Sequence, residues 1–107
     1  MSGELAKGHL DLLLLSSLEE RPLHGYGLIE VIREKSNAAF DLPEGSVYPA
    51  LHRLEREGLL ASSWSRGSGR PRRVYKLSRR GRAELKKQHV EWTRFSTAIN
   101  AVMSAEA

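Results

Sequence analysis

Residues 45–58 of this chain read GSVYPALHRLEREG and predict one short helix around which the other elements are organised. Ser46 is a suitable N-cap, because its hydroxyl can accept a hydrogen bond from a free N–H of the first turn. Pro49 then falls in that first turn, where its missing N–H would have had no partner. Gly58 supplies the left-handed residue that ends the helix.

The two faces of this helix differ in chemistry. Its apolar residues recur at helical spacing and predict a buried face, made of Val47, Ala50, Leu51 and Leu54. The residues left on or beside the exposed face are Tyr48, His52, Arg53 and Arg56. A short helix that presents an aromatic ring, an imidazole and two guanidinium groups suits the major groove of DNA. An ordinary amphipathic helix with a solvated charged face is the alternative that this stretch leaves open.

Charge is segregated along the chain. Residues 66–87 hold ten Lys and Arg against one acid, Glu84, which gives a net charge of +9. The remaining residues hold seven basic and twelve acidic side chains, a net charge of −5. A concentrated basic segment on an acidic body is typical of a protein that binds a polyanion. The alternative, a solubilising surface, does not require the two signs to be separated.

Length and composition indicate one globular domain with an extension, since the chain has 107 residues, 40% of them hydrophobic and 28% charged. It contains no cysteine, which excludes disulfides and Cys-based zinc sites and fits a reducing cytosol. The longest apolar run, residues 12–15, is far shorter than the roughly 20 residues that span a bilayer. We therefore expect a cytoplasmic protein without a signal peptide.

Two helices are predicted before the central one. The first, residues 8–20, follows a loose arm of residues 1–7 and is mostly buried, because its leucines cover more than one face. The second runs from about residue 24 to residue 37, and its glycines Gly25 and Gly27 are expected to permit close approach of another backbone. With the linker of residues 38–45, the second and third helices have the helix-turn-helix pattern.

After Gly58 the sequence period changes to that of strands. Residues 59–65 predict a strand with Leu60 and Trp64 on one face, and residues 66–71, which read RGSGRP, predict a turn. Residues 72–77 alternate, which places Arg73, Tyr75 and Leu77 on one side of a second strand. The predicted fold is therefore mainly α with a small β-hairpin. It is a winged helix-turn-helix domain (residues 1–77) with a long C-terminal dimerisation helix and tail (residues 78–107).

The final helix is capped by Ser78 and should run to about Met103, a length of roughly 35–40 Å. Its inner positions follow a heptad that predicts pairing with the same helix of a second chain, through Leu85, Gln88, Trp92, Phe95, Ile99 and Val102. A helix folded back onto its own domain is the alternative.

Trp92 also predicts a sensing site, because a large ring whose N–H wants a partner fits poorly in a tight helical seam. Gln88, Trp92 and Phe95 would then line a gap between two subunits and bind a flat aromatic effector, with cation–π attraction if the compound is cationic. The alternative is that Trp92 packs against the first helix as part of the core.

Three ordered stretches resemble the PadR family of bacterial transcriptional regulators: residues 23–28 (LHGYGL), 45–60 (GSVYPALHRLEREGLL) and 69–78 (GRPRRVYKLS). The resemblance implies a homodimeric repressor of a palindromic operator. Residues matching the family's recognition helix are Ser46, Tyr48, Pro49, His52 and Arg53, and those matching its wing tip are Gly69, Arg70 and Pro71. With room for one C-terminal helix, the chain resembles the short subtype, of which some members are similar to multidrug sensors.

The wing completes the predicted DNA-binding set, to which the residues themselves add Arg56, Arg72 and Arg73. A glycine at the tip lets the backbone approach DNA while arginines enter a narrow minor groove; a basic loop that contacts phosphates without selectivity is the alternative.

No motif in the chain indicates catalysis. The four histidines lack metal-ligand spacing, and there is no G-x-S-x-G turn and no phosphate-binding loop. We therefore expect no enzyme activity, no metal and no cofactor. The remaining alternative to a DNA-binding repressor is a winged-helix module that contacts protein or RNA.

Overall fold

Four helices and a small sheet make up residues 8–67 and 69–104, which the computed structural model of the chain describes. The helices are α1 (Leu10–Ser17), α2 (Gly25–Lys35), α3 (Glu44–Arg56) and α4 (Arg79–Met103), and the strands are β1 (Leu23–His24), β2 (Leu60–Ser65) and β3 (Arg72–Leu77). The predicted winged helix-turn-helix is confirmed. Helix α1 is shorter than predicted, and the expected arm of residues 1–7 lies outside the described residues.

The sheet is antiparallel in the order β1-β3-β2. Strands β2 and β3 pair from Leu60 opposite Leu77 to Ser65 opposite Arg72, which confirms the predicted hairpin and its alternation. Strand β1 was not predicted, because two residues are too few to show a period. It adds Leu23 opposite Tyr75 and so ties the start of α2 to the wing.

One hydrophobic core joins all four helices to the sheet. Its buried members are Leu14, Leu15, Leu18, Leu28, Ile32, Leu42, Val47, Ala50, Leu51, Leu54, Leu60, Tyr75, Leu77 and Leu85. The predicted buried face of α3 is therefore confirmed in full, and it places the opposite face of α3 toward solvent.

Helix α3 begins three residues earlier than predicted. Its N-cap is Pro43, in extended conformation, whose carbonyl accepts from the N–H groups of Ser46 and Val47. The expectation that Ser46 caps the helix is therefore wrong, and Pro49 lies in the second turn instead of the first. The helix starts early because Leu42 is buried in the core and fixes the entry of the chain. At the other end Gly58 has φ +81°, which confirms the predicted left-handed stop.

The start of α4 belongs to the winged-helix body. Ser78 caps it as predicted, since its Oγ accepts from the Gly81 N–H at 3.0 Å and donates to the Gly58 carbonyl at 2.6 Å. Gly81 lies directly against the backbone of Leu59, and Leu85 is only 6% exposed within the core. Leu85 was predicted at the dimer interface; its burial in its own subunit makes it a core residue instead.

Beyond Leu85 most residues of α4 are exposed, and the described residues extend 57 Å along their longest axis against 28 and 21 Å across. Within residues 8–67 and 69–104 there is no helix with the length and apolar character needed to cross a membrane.

Candidate nucleic-acid interface

The solvent-facing side of α3 carries a single row of exposed residues, Gly45, Pro49, His52 and Arg56. Their spacing of four, three and four residues keeps them on one face of a helix. This face lies opposite the buried leucines, so it is free to enter a groove. We call these four residues the α3 row. The sequence predicted three of its members as DNA-contacting residues, and Gly45 adds a position without a side chain.

Arg53 does not belong to the α3 row. Its guanidinium turns toward α1, where Nη2 donates to the Asp11 carboxylate at 2.5 Å, and Nη1 also lies 3.4 Å from Glu57. The hydrogen bond to Asp11 raises the pKa of Arg53 above its ordinary high value. Arg53 therefore lies beside the exposed face, with its side chain 40% exposed and its guanidinium engaged within the chain, and its contact with DNA stays a prediction. This pair could not be predicted from local sequence, because Asp11 and Arg53 are 42 residues apart.

Tyr48 lies on the side of α3 that faces α2, and it is half-buried. This burial raises the pKa of its phenol. A methyl group placed on Gly25 would meet the Tyr48 ring at 2.5 Å. Gly25 therefore permits the close approach of the Tyr48 side chain. The sequence had predicted that another backbone would approach this glycine. The ring of Tyr26 meets Tyr48 edge to face at 6.1 Å, and its hydroxyl donates to Glu44 at 2.8 Å. Tyr48 thus packs against Gly25 and Tyr26 and remains partly exposed.

His24 is a functional candidate that the sequence analysis missed. As the N-cap of α2, its Nδ1 accepts from the Gly27 N–H at 3.1 Å, so a neutral ring must carry its proton on Nε2. That Nε2 lies 3.0 Å from Nη1 of Arg72, which also carries only N–H groups. Two donors therefore face each other, an arrangement suited to sharing one anionic oxygen. Strand β1, which the sequence did not reveal, is what brings them together.

The wing tip carries three exposed residues of the predicted set, Gly69, Arg70 and Pro71. Gly69 has φ +106°, a conformation that favours glycine, and a Cβ there would meet no other atom within 4 Å. The tip is therefore an open turn that can approach a partner without steric hindrance. Ser68, beside it, lies outside the described residues.

On the side of the hairpin that faces the core, Arg73 and Trp64 are directly opposed. The guanidinium carbon of Arg73 lies 5.2 Å from the centre of the Trp64 ring. Nε of Arg73 donates to Ser62 Oγ at 2.8 Å, and Ser62 Oγ donates to Glu55 of α3 at 2.5 Å. The wing and α3 are thus joined by a chain of side-chain contacts.

The C-terminal half of α4 exposes an apolar stripe, which we call the α4 stripe: Trp92, Phe95, Ile99 and Val102. Gln88, also predicted there, is half-buried and donates to Glu84 at 2.8 Å. Trp92 meets the ring of His9 at 5.0 Å, so it packs partly against the residue preceding α1 while remaining 40% exposed. The alternative that Trp92 packs against the first helix is therefore met in part, and the sensing site between two subunits stays a prediction.

An open cleft of about 730 Å³ separates α1 from α4. Its walls include the rings of His9, Trp92 and Phe95 and the ion pair of Asp11 with Arg53. The cleft therefore reaches from the α4 stripe to a residue of α3. No group of three or more His, Asp or Glu within residues 8–67 and 69–104 is placed to hold a metal ion.

Comparison with known proteins agrees with this geometry. The model of the transcriptional regulator PadR-like family matches residues 14–87. The transcriptional regulator Rv3488 of Mycobacterium tuberculosis is 37% identical over 82 residues, which cover 77% of this chain and 74% of that protein.

Solved structures give the same result. A transcriptional regulator from Clostridium thermocellum superposes with a TM-score of 0.85 at 27% identity, covering 94% of this chain and 99% of that one. A PadR family transcription regulator from Clostridium difficile has a TM-score of 0.80 at 30% identity, covering 91% and 100% of the two chains.

Proposed function

Because the chain belongs to the PadR-like family of transcriptional regulators, we propose that it represses transcription as a homodimer bound to a palindromic operator. The observation that carries the proposal is the placement of the α3 row and the wing on one connected surface. The α3 row is exposed and the wing tip is open, and Ser62 joins the two elements that carry them, because its Oγ accepts from Arg73 of β3 and donates to Glu55 of α3.

In this proposal the α3 row enters a major groove, where His52 and Arg56 reach base edges and Pro49 makes apolar contact. Ser46 and the exposed part of Tyr48 lie beside the row and contact the flanking backbone. Arg70, next to Gly69 and Pro71 at the tip, enters the adjacent minor groove. His24 and Arg72 share a backbone phosphate oxygen, which fixes the register of the protein on the duplex.

A second copy of the chain covers the α4 stripe. Trp92, Phe95, Ile99 and Val102 are large apolar side chains on a helix that projects from the body, and water is a poor environment for a continuous row of them. Pairing of two α4 helices about a two-fold axis would bury the row. The two α3 helices would then face successive major grooves about 34–36 Å apart, which requires a palindromic site.

The proposal is tested by selecting bound fragments from random duplex DNA. We expect an inverted repeat whose half-sites are separated by about one helical turn. His52→Ala and Arg56→Ala should reduce discrimination between selected and unrelated DNA, because a base-edge contact contributes about 1–3 kcal/mol. Arg70→Ala should weaken binding most strongly where the flanks are A·T-rich. Recovery of no preferred sequence, or of single-stranded RNA in a parallel selection, would contradict the proposal.

We further propose that a flat aromatic effector binds in the cleft between α1 and α4 and releases the DNA. The rings of Trp92 and Phe95 lie 5.9 Å apart and both line the cleft, so the sides of the rings that face the cleft offer stacking surface beside the paired α4 helices. Asp11 and Arg53 neutralise each other in the cleft wall; of the other charged residues that line the cleft, Glu84 and Glu91 are acidic and Lys87 is basic, which favours a cationic compound. An effector acts this way only if it binds the DNA-free state more tightly.

A fluorescence titration tests the effector proposal. In a Trp64→Phe background the remaining tryptophan is Trp92, and the planar cationic dye rhodamine 6G should quench it while weakening DNA binding over the same concentration range. Fluorescein, planar and anionic, is the matched control and should bind less well. Quenching of Trp92 without any change in DNA affinity would contradict the proposal, because a compound bound in the cleft would then not release the DNA.

A further inference from the structure

Trp64 on the wing is 63% exposed, so burial in the core does not explain why a large indole lies at this position. Its ring instead lies under the guanidinium of Arg73, at 5.2 Å from the ring centre. Cross-strand pairing of Trp64 with Arg73 fixes this geometry, since directly opposed residues on one face of a sheet lie side by side.

Arg73 is also held from a second direction. Its Nε donates to Ser62 Oγ, which in turn donates to Glu55 of α3. An arginine side chain ordinarily loses much rotational freedom when it binds. Here one N–H and one face of the guanidinium are already engaged, so the four N–H groups on the two terminal nitrogens remain to bind a ligand in a fixed orientation.

The position of Arg73 identifies that ligand. The residue lies on the core-facing side of the hairpin, between α3 and the wing tip. Adjacent major and minor grooves of a duplex are separated by one sugar–phosphate strand. If α3 occupies the major groove and the wing tip the minor groove, that strand must pass over the gap in which Arg73 lies.

We propose that Trp64 is a positioning residue that holds the Arg73 guanidinium for contact with the backbone phosphates between the two grooves. The inference rests on the proposed DNA-binding function. Trp64 carries no charge, so its proposed role in DNA binding depends on the stacking of its ring against the Arg73 guanidinium. Phenylalanine should fulfil this role, because it keeps an aromatic face, and alanine should not.

The test is a double-mutant cycle on a 30-base-pair duplex of random sequence, which suffices because phosphate contacts do not depend on sequence. Arg73→Ala should weaken binding roughly five- to tenfold at about 0.1 M salt and lower the slope of log K against log [salt] by about 0.9. Trp64→Ala should weaken binding about two- to fivefold, the range that an exposed cation–π contact gives. Trp64→Phe should bind like the wild type.

In the Arg73→Ala background, Trp64→Ala should have no further effect. Lys76→Ala removes the same charge from the opposite face of β3 and should leave the salt slope unchanged. Thermal melting by circular dichroism checks that each variant is folded.

Three outcomes would overturn the inference. In the first, Trp64→Ala binds DNA like the wild type while Arg73→Ala binds weakly. In the second, Trp64→Ala still weakens binding in the Arg73→Ala background. Either result would leave the proposed DNA-binding function of the wild type intact. Failure of the wild type itself to bind duplex DNA would overturn the proposed function together with this inference.

Discussion

His24 shows how one side chain can serve fold and function through its two nitrogens. Nδ1 satisfies a free N–H of the first turn of α2, and this bond decides that Nε2 carries the proton. Nε2 then points toward Arg72 on the wing strand. The two roles can be separated by substitution, because only one of them requires the second ring nitrogen.

We predict that His24→Asn retains the cap and loses the phosphate contact. Asparagine is among the best N-cap residues, so the melting temperature should stay close to that of the wild type. Affinity for random duplex DNA should fall about tenfold, since a hydrogen bond to a charged group contributes roughly 1.5 kcal/mol. His24→Ala should lose both properties. Wild-type DNA affinity in a stably folded His24→Asn protein would show that the imidazole is a cap only.

Among the elements, α4 depends most on one close contact. Gly81 lies in its first turn, and a Cβ there would lie 2.0 Å from the Leu59 carbonyl oxygen. The same carbonyl accepts from the Ser78 N–H, so it cannot move without loosening the cap of the helix. The approach of these two backbones is what joins α4 to the end of α3.

We predict that Gly81→Ala destabilises the protein by about 2–3 kcal/mol, the range of a forced overpacking, although alanine is the better helix former. Thermal unfolding at fixed protein concentration measures this. Gly45→Ala is the matched control, because a Cβ at Gly45 meets no atom within 4 Å and helix propensity should then raise the melting temperature. Equal behaviour of the two variants would mean that the α4 contact is not tight in solution.

At the scale of the whole molecule, the dominant feature is α4, whose first turns are buried in its own subunit and whose C-terminal half is mostly exposed. Gly81 and Leu85 are buried, whereas Trp92, Phe95, Ile99 and Val102 are exposed. A single chain therefore folds its DNA-binding body but leaves the α4 stripe in water. Association with a second copy would complete the burial and place two DNA-binding surfaces on one particle.

We predict that Ile99→Glu converts the dimer to a monomer, because a carboxylate in the middle of a paired apolar stripe would be buried without a partner. Asn100→Glu adds the same charge one residue away, on an exposed face outside the heptad, and should remain dimeric. Sedimentation velocity at micromolar concentration measures both. An Ile99→Glu protein that sediments like the wild type would remove this part of α4 from the interface.

Local sequence was sufficient to predict the four helices and the β2–β3 hairpin, although not β1, and it predicted much of the surface chemistry. The spacing of Val47, Ala50, Leu51 and Leu54 predicted the buried face of α3. Gly58 predicted the end of α3, and Ser78 predicted the start of α4. Such features depend on backbone angles and side-chain periods within a few residues, which the sequence displays directly. The basic segment of residues 66–87 was visible for the same reason.

Tertiary structure alone decided which of these residues are free to act. Arg53 is engaged by Asp11, Leu85 is buried in its own core, and His24 meets Arg72 across 48 residues of chain. Each outcome depends on the packing of α1, β1 and α4 against the helix-turn-helix. The residues adjacent in sequence carry no information about a partner that lies far away along the chain. Local periodicity determines which face of an element turns outward, but the neighbouring elements determine which side chains on that face remain unpaired.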